Sequence, residues 1–174
     1  ASGIRYDLVM EDEEYGMLYL KEIVEHHVSG QMKVAPEHSE DHILSRMGKP
    51  GRQSLMKFKQ AFDTLTAKAG KKQYLTYYLI AAHPGCTEGD MRQLKRFANR
   101  ELHIHPEQVQ IFTPTPSTYS SLMYYTGIDP FSMEPIFVET ELSRKEYQKN
   151  IVVETTATGK SFKNLSRIRK PVKP

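Results

Sequence analysis

The fold of this chain is predicted first from the stretch Lys33-Val-Ala-Pro-Glu-His-Ser-Glu-Asp-His-Ile-Leu-Ser-Arg-Met-Gly-Lys49. An apolar strand is expected to end at the carboxylate residue Glu37, and Ser39 is expected to cap a short helix after it. Lys49 lies twelve residues beyond Glu37. In open α/β sheets and in βα barrels, strand ends and helix starts meet on one face, and ligands bind there. The stretch therefore predicts the position of a site but does not identify the ligand.

The same order of strand, polar residue and helix recurs along the chain. Apolar runs predict strands over residues 4–10, 31–35, 74–82 and 109–113, with helices of helical apolar spacing between them. Strands separated by helices indicate parallel βαβ units. Four such units are half of an eight-stranded barrel or a small open sheet. The run at 74–82 is so continuously apolar that we expect it to be covered on both faces.

Several helix boundaries can also be predicted. Thr87 with Asp90 resembles a capping box. A long helix with apolar positions from Leu55 to Ala69 is expected to stop at Gly70, and a short one to run from Ser117 to Gly127. Beyond residue 130 the pattern weakens, so we predict a body over residues 1–130 and an extension over 131–174. That extension is expected to hold an edge strand (135–140), a short helix (143–150) and a loop from residue 155.

Composition excludes several classes of protein. The chain has 174 residues and one cysteine, Cys86, which excludes an internal disulfide and a cysteine-rich metal site made by this chain alone. No stretch approaches the roughly 18–20 apolar residues of a membrane span, and no secretory leader is visible. We therefore expect a cytoplasmic protein that does not enter a membrane.

The net charge of +3 hides an asymmetry. Six basic residues and no acid follow residue 159, so the body is mildly acidic and the tail basic. A basic tail can bind nucleic acid, and it can equally be a solvated chain end. Both interpretations stay open.

The strand ends carry the candidate chemistry. Glu37 can accept hydrogen bonds from ligand hydroxyls or an ammonium, and Lys49 can meet a carboxylate or phosphate, unless both are ordinary solvated side chains. The turn from His83 to Thr87 could bind an anion with its amides. Cys86 is either a thiol of lowered pKa near a helix start or an inert, partly buried thiol. The histidines form no recognisable metal-binding pattern, and no metal is assigned to them.

Five segments, in order, resemble the YgiQ-type family of radical S-adenosylmethionine (SAM) proteins. They are Gly-Ile-Arg-Tyr-Asp-Leu at residues 3–8, Lys-Val-Ala-Pro-Glu-His at 33–38, Met-Gly-Lys-Pro at 47–50, Tyr-Leu-Ile-Ala-Ala-His-Pro-Gly-Cys-Thr at 78–87, and Gln-Ile-Phe-Thr-Pro-Thr-Pro at 110–116. The resemblance covers roughly residues 3–130.

The resemblance implies an α/β fold in which about four parallel βα units form the later part of a radical SAM (β/α) barrel, followed by an irregular extension. In such enzymes a four-iron, four-sulfur (4Fe-4S) cluster reduces SAM, and the resulting 5′-deoxyadenosyl radical abstracts hydrogen from the substrate. The family's C-x-x-x-C-x-x-C cluster motif is not in this chain, so the chain alone is expected to be inactive and to hold no cluster ligands.

The resemblance also implies roles for single residues. Glu37 would contact the SAM ribose and Lys49 the SAM carboxylate. The adenine of SAM would lie near Ile80, His83 and Gly85. Thr113, at the end of the next strand, would line the same pocket. Arg5 and Asp7, expected on the first strand here, would face SAM or the substrate.

The preferred hypothesis is therefore a portion of a radical SAM enzyme whose substrate is unknown. The alternatives are a nucleic-acid-binding or protein-interaction module that uses the basic tail. Because an opened barrel exposes strand edges, the chain by itself is also expected to self-associate.

Overall fold

A three-stranded parallel sheet lies at the centre of the computed structural model, which describes residues 3–153. Its strands β1 (Gln31–Glu37), β2 (Tyr74–Ala81) and β3 (Gln110–Ile111) lie side by side in that order, and both pairs are parallel. The prediction of parallel βα units is confirmed, with three strands in place of four. The helices are α1 (Tyr6–Glu11), α2 (Gly16–Glu22), α3 (Asp41–Arg46), α4 (Arg52–Lys68), α5 (Glu88–Phe97), α6 (Tyr119–Thr126) and α7 (Leu142–Val152).

The strand predicted over residues 4–10 is wrong. Within this segment only Ile4 pairs with the sheet, through a single parallel bridge to Val34, and the chain enters α1 at Tyr6. Tyr6 and Val9 are both buried, and side chains three positions apart lie on one face of a helix. So short an apolar run fits the helical period as well as the strand period.

Strand β1 carries a bulge at its carboxyl end. Val34 pairs with Tyr77, and Glu37 pairs with Leu79, so β1 contains one residue more than β2 can match. Pro36 lies inside this irregularity, where the missing N–H of a proline is tolerated. β1 ends at Glu37, two residues later than predicted, and the bulge determines how Glu37 leaves the sheet.

Helix α4 covers one face of the sheet. Leu55, Phe58 and Phe62 share its buried face and pack in one core with Met32 and Val34 of β1. The opposite face of β2 is not covered, because Tyr74 is 62% and Tyr78 39% exposed. The expectation that β2 is covered on both faces is therefore wrong.

Helix starts follow the predicted chemistry in part. The capping box of Thr87 and Asp90 is present at α5. At α3, however, Glu40 is the capping residue, and the hydroxyl of Ser39 donates to the Glu40 carboxylate at 3.0 Å instead of capping the helix. Two helices continue as π-helical turns, α2 over Ile23–His27 and α5 over Ala98–Leu102.

Residues beyond 130 pack against the sheet. Helix α7 contacts α5, β2 and β3, and Val152 lies in a second core with Leu79, Met91 and Leu94. The predicted helix at 143–150 is thus confirmed, whereas the strand at 135–140 is wrong: Pro135 makes only a single antiparallel bridge with Ile128. The predicted loop and basic tail lie outside the described residues.

No helix within residues 3–153 is long and apolar enough to cross a membrane. Large apolar side chains are nevertheless exposed, and most of them lie in two places. One lies around α1 and α2, and the other on α6 and the loop that follows it. Self-association stays a prediction, and these exposed side chains favour it. They are Leu8, Tyr15, Met17, Leu18 and Tyr19 in the first place, and Tyr119, Leu122, Tyr125, Phe131 and Met133 in the second.

Gly85 connects α3 with the loop beyond α6. Its φ is +85°, its amide donates to the Phe137 carbonyl at 2.7 Å, and a Cβ at this position would lie 2.9 Å from Nη1 of Arg46. Arg46 in turn donates from Nε to the Asp129 carboxylate at 3.1 Å. Only glycine fits here without displacing the Arg46–Asp129 ion pair.

We expect Gly85→Ala to lower the free energy of unfolding more than Gly48→Ala does. Gly48 has a φ of +64° with open space around it, so its substitution measures the left-handed conformation alone, about 1–2 kcal/mol. Gly85→Ala also pushes the Arg46 guanidinium away from Asp129, which adds at most about 1 kcal/mol because the end of a flexible side chain can shift. Urea unfolding of both variants measures the difference, and equal losses would contradict this account of Gly85.

Candidate functional site

The carboxyl ends of the three strands form one edge of the sheet. Glu37 ends β1, Ala82 and His83 follow β2, and Phe112 follows β3. Glu37 and Ala82 both have left-handed backbones, with φ of 68° and 58°. This conformation costs a residue with a side chain about 1–2 kcal/mol, and such strain concentrates at functional sites. This edge is therefore the candidate site.

Glu37 and Lys49 meet at the edge. Nζ of Lys49 lies 2.9 Å from Oε1 of Glu37 and 3.4 Å from the carbonyl oxygen of Ala35. The two side chains are 20% and 26% exposed, so a ligand can reach them while most of each is covered. This proximity agrees with the family resemblance, which implies that both residues contact one ligand, and the contact with a ligand stays a prediction.

Tyr6 shares the neighbourhood of Glu37. Burial, followed by the charges of Asp7 and Glu37, raises the pKa of Tyr6 to about 12, so the phenol stays neutral. Arg5 and Asp7 were expected on a strand, but they lie at the start of α1 and bind each other, with Nε of Arg5 2.9 Å from Oδ1 of Asp7. The Arg5 hydrogen bond lowers the pKa of Asp7.

His83 joins the ends of β2 and β3 to α6. Its Nδ1 donates to the Pro84 carbonyl at 2.9 Å, and its Nε2 accepts from the Ser120 hydroxyl at 2.8 Å. The ring lies edge-on to Phe112 at 5.1 Å between centroids. Burial lowers the pKa of His83 to about 4, so the ring is neutral near pH 7.

The turn after β2 does not offer amides to an anion. The amide of Gly85 donates to Phe137, that of Cys86 to the carbonyl of His83 at 2.8 Å, and that of Thr87 to the Asp90 carboxylate at 2.8 Å. The anion hypothesis for this turn is wrong, because the turn uses these donors to hold itself and the α5 cap.

Cys86 is a buried, protonated thiol. Burial, and then the charge of Asp90, raises its pKa to about 12. Its Sγ lies 3.5 Å from Nε2 of His38, whose Nδ1 accepts the Glu40 amide at 3.1 Å. Burial lowers the pKa of His38 to about 4. Burial and the raised pKa favour the interpretation of an inert thiol over one of lowered pKa.

Sequence reasoning missed the contact between Cys86 and His38. The signal was available, because both residues follow the ends of neighbouring parallel strands. It also missed Lys145, which is buried on α7, donates to the Tyr124 hydroxyl at 2.8 Å and lies over that ring at 4.4 Å. The long-range Lys145–Tyr124 pairing left no signal in the sequence.

The remaining predicted residues are spread along the edge. Ile80 is half-buried opposite Gln110, and Thr113 is exposed just beyond β3. The structure thus brings Glu37 to Lys49 and His83 to the end of β3, and it sets Gly85 against Arg46. Across residues 3–153, no group of three histidine, cysteine or carboxylate side chains is arranged to hold a metal ion.

The chain is similar in sequence to UPF0313 proteins. It is 60% identical over 154 residues to one from Fusobacterium nucleatum, 45% over 153 residues to one from Geobacter sulfurreducens, and 43% over 151 residues to one from Methanocaldococcus jannaschii. These matches cover 86–88% of this chain but only 24–27% of each relative. The chain therefore spans about a quarter of the length of these relatives. No protein-family model matches the sequence.

We expect the protein to lose stability as the pH falls from about 6.5 to about 4. His38 and His83 titrate near 4 when folded and near 6.5 when unfolded, so over this interval only the unfolded chain binds the two protons. Each histidine contributes at most about 3 kcal/mol to the loss. Urea unfolding at pH 7 and at pH values down to about 4 measures it.

His83→Gln should make this pH dependence shallower, whereas His27→Gln, at an exposed position, should leave it unchanged. A variant at His83 with the same pH dependence as the unmodified chain would contradict the assignment of a buried neutral ring.

Proposed function

We propose that this chain is a SAM-binding portion of a longer radical SAM enzyme. The observation that carries the proposal is the Glu37–Lys49 pair at the carboxyl edge of a parallel sheet. SAM presents a ribose diol and a carboxylate from one molecule. The diol can donate hydrogen bonds to Glu37, and the carboxylate can pair with Lys49.

The pairing of the two side chains with each other supports this assignment. Taking away one partner of a half-covered ion pair leaves the other charge without compensation, which is unfavourable. A ligand that offers a donor to Glu37 and an anion to Lys49 replaces both contacts together. Such a ligand enters without leaving either group unpaired.

The neighbouring strand ends support the adenine part of the proposal. Ile80 is half-buried, and the neutral ring of His83 packs on Phe112, so this part of the edge is apolar and aromatic. A nucleobase has a flat apolar face and suits such surroundings. Ligands in parallel α/β folds bind beyond the carboxyl ends of strands, where these residues lie.

The residues of this chain do not fit the 4Fe-4S cluster that the family resemblance implies. Such a cluster is held by thiolates, and Cys86 is the only cysteine in the sequence and is protonated and buried. We assign the cluster ligands to another part of a longer protein. The length of these relatives, between three and four times that of this chain, is consistent with that division. The substrate is left open.

We expect SAM to bind the chain, and Glu37→Gln or Lys49→Met to weaken that binding about tenfold or more, as the loss of a charge-assisted hydrogen bond predicts. Isothermal titration calorimetry measures the dissociation constants. Lys59→Met is the matched control, because Lys59 forms an ion pair with Asp63 at 2.6 Å on the surface of α4. Equal weakening by the control, or no binding of SAM, would refute the assignment.

A longer form of the protein that includes a C-x-x-x-C-x-x-C segment tests the enzymatic part. After anaerobic reconstitution of the cluster and reduction, we expect it to cleave SAM to 5′-deoxyadenosine, measured by chromatography. Glu37→Gln should reduce the yield, and Lys59→Met should not. An intact, reduced cluster without cleavage would argue against a radical SAM enzyme.

A further inference from the structure

A polar cavity lies between the start of α4 and the end of α5. Its volume is 200 Å³, and its wall includes three arginines, Arg52, Arg96 and Arg100. Their guanidinium groups come from two elements that are distant in sequence. The cavity lies apart from Glu37 and Lys49, neither of which lines it.

None of the three guanidinium groups forms a direct ion pair with a carboxylate of residues 3–153, although Glu40 and Glu101 line the same cavity. Arg92, one turn before Arg96 on α5, forms an ion pair with Glu88 at 3.1 Å. Arg96 instead donates to the neutral side chain of Gln93 at 3.4 Å, and Arg52 lies over the ring of Phe97 at 5.7 Å. Three arginines and the two carboxylates of Glu40 and Glu101 give the cavity wall a net charge of +1 (three minus two), so a small anion is favoured there.

The chemistry of the wall narrows the class of anion. Guanidinium groups match phosphate oxygens with paired N–H donors. Glu40 and Glu101 also line the cavity, so a continuous anionic surface would meet repulsion there. Pockets for drug-sized ligands measure about 300–1,000 Å³, so 200 Å³ suits one small anionic group.

We propose that Arg52, Arg96 and Arg100 form a binding site for a single phosphate group. The ligand class is a small phosphorylated molecule, with the phosphate between the guanidiniums. The proposal is independent of SAM binding, because SAM carries no phosphate. Arg52 reaches the cavity from the start of α4, where it lies over Phe97, and Arg96 and Arg100 reach it from α5 and its π-helical continuation.

Calorimetric titration of the full chain with inorganic phosphate tests the site, with chloride added so that the ionic strength stays constant. We expect saturable binding that Arg96→Gln and Arg100→Gln each weaken about tenfold, the effect of one charge-assisted hydrogen bond. Arg92→Gln removes the same charge from the same helix outside the cavity, so it should weaken binding less than twofold. Circular dichroism checks that each variant is folded.

Two results would overturn the proposal. One is an equal effect of Arg92→Gln, which would mean that phosphate responds to the general field of α5. The other is salt-dependent binding of single-stranded RNA without any saturable binding of phosphate, which would indicate a nucleic-acid surface instead. Arg100→Lys refines a positive result: it keeps the charge but removes the paired donors, so an intermediate loss of affinity is expected.

Discussion

The extra residue in β1 is the constraint on which the candidate site depends. Because Val34 pairs with Tyr77 and Glu37 with Leu79, the strand cannot continue in register, and Glu37 leaves the sheet with a left-handed backbone. Pro36 suits this irregularity, since it has no N–H to pair. The carboxylate then reaches Lys49, which follows α3. The charged pair at the edge is thus a consequence of strand register.

Three buried titratable groups on or beside this edge of the sheet are neutral, which determines what the edge can do. His83 has a lowered pKa, and Tyr6 and Cys86 have raised ones, all because of burial. None of the three changes charge near pH 7. They therefore shape the edge and keep water out of it, and they do not transfer protons. The edge is better suited to holding a polar ligand than to acid–base chemistry, which agrees with a role in binding SAM.

Long-range contacts tie the later part of the chain to this edge. Arg46 pairs with Asp129, Gly85 donates to Phe137, and α7 packs against α5 and the sheet. The extension predicted from a weak apolar pattern therefore supports the turn after β2. The amphipathic pattern of α7 is weak although the helix is well packed, because α7 buries polar side chains such as Lys145 and Gln148.

The sequence by itself predicted the parallel βα order and a candidate site at the strand ends, and the family resemblance implied that Glu37 and Lys49 act on one ligand. The first two follow from local periodicity and from the order of elements within each strand–helix unit. Only the tertiary structure decided that residues 6–11 form a helix, that β2 leaves Tyr74 and Tyr78 exposed, and that the amides after His83 are already used. A short apolar run fits two periods, and both burial and hydrogen-bond partners depend on residues far away in the chain.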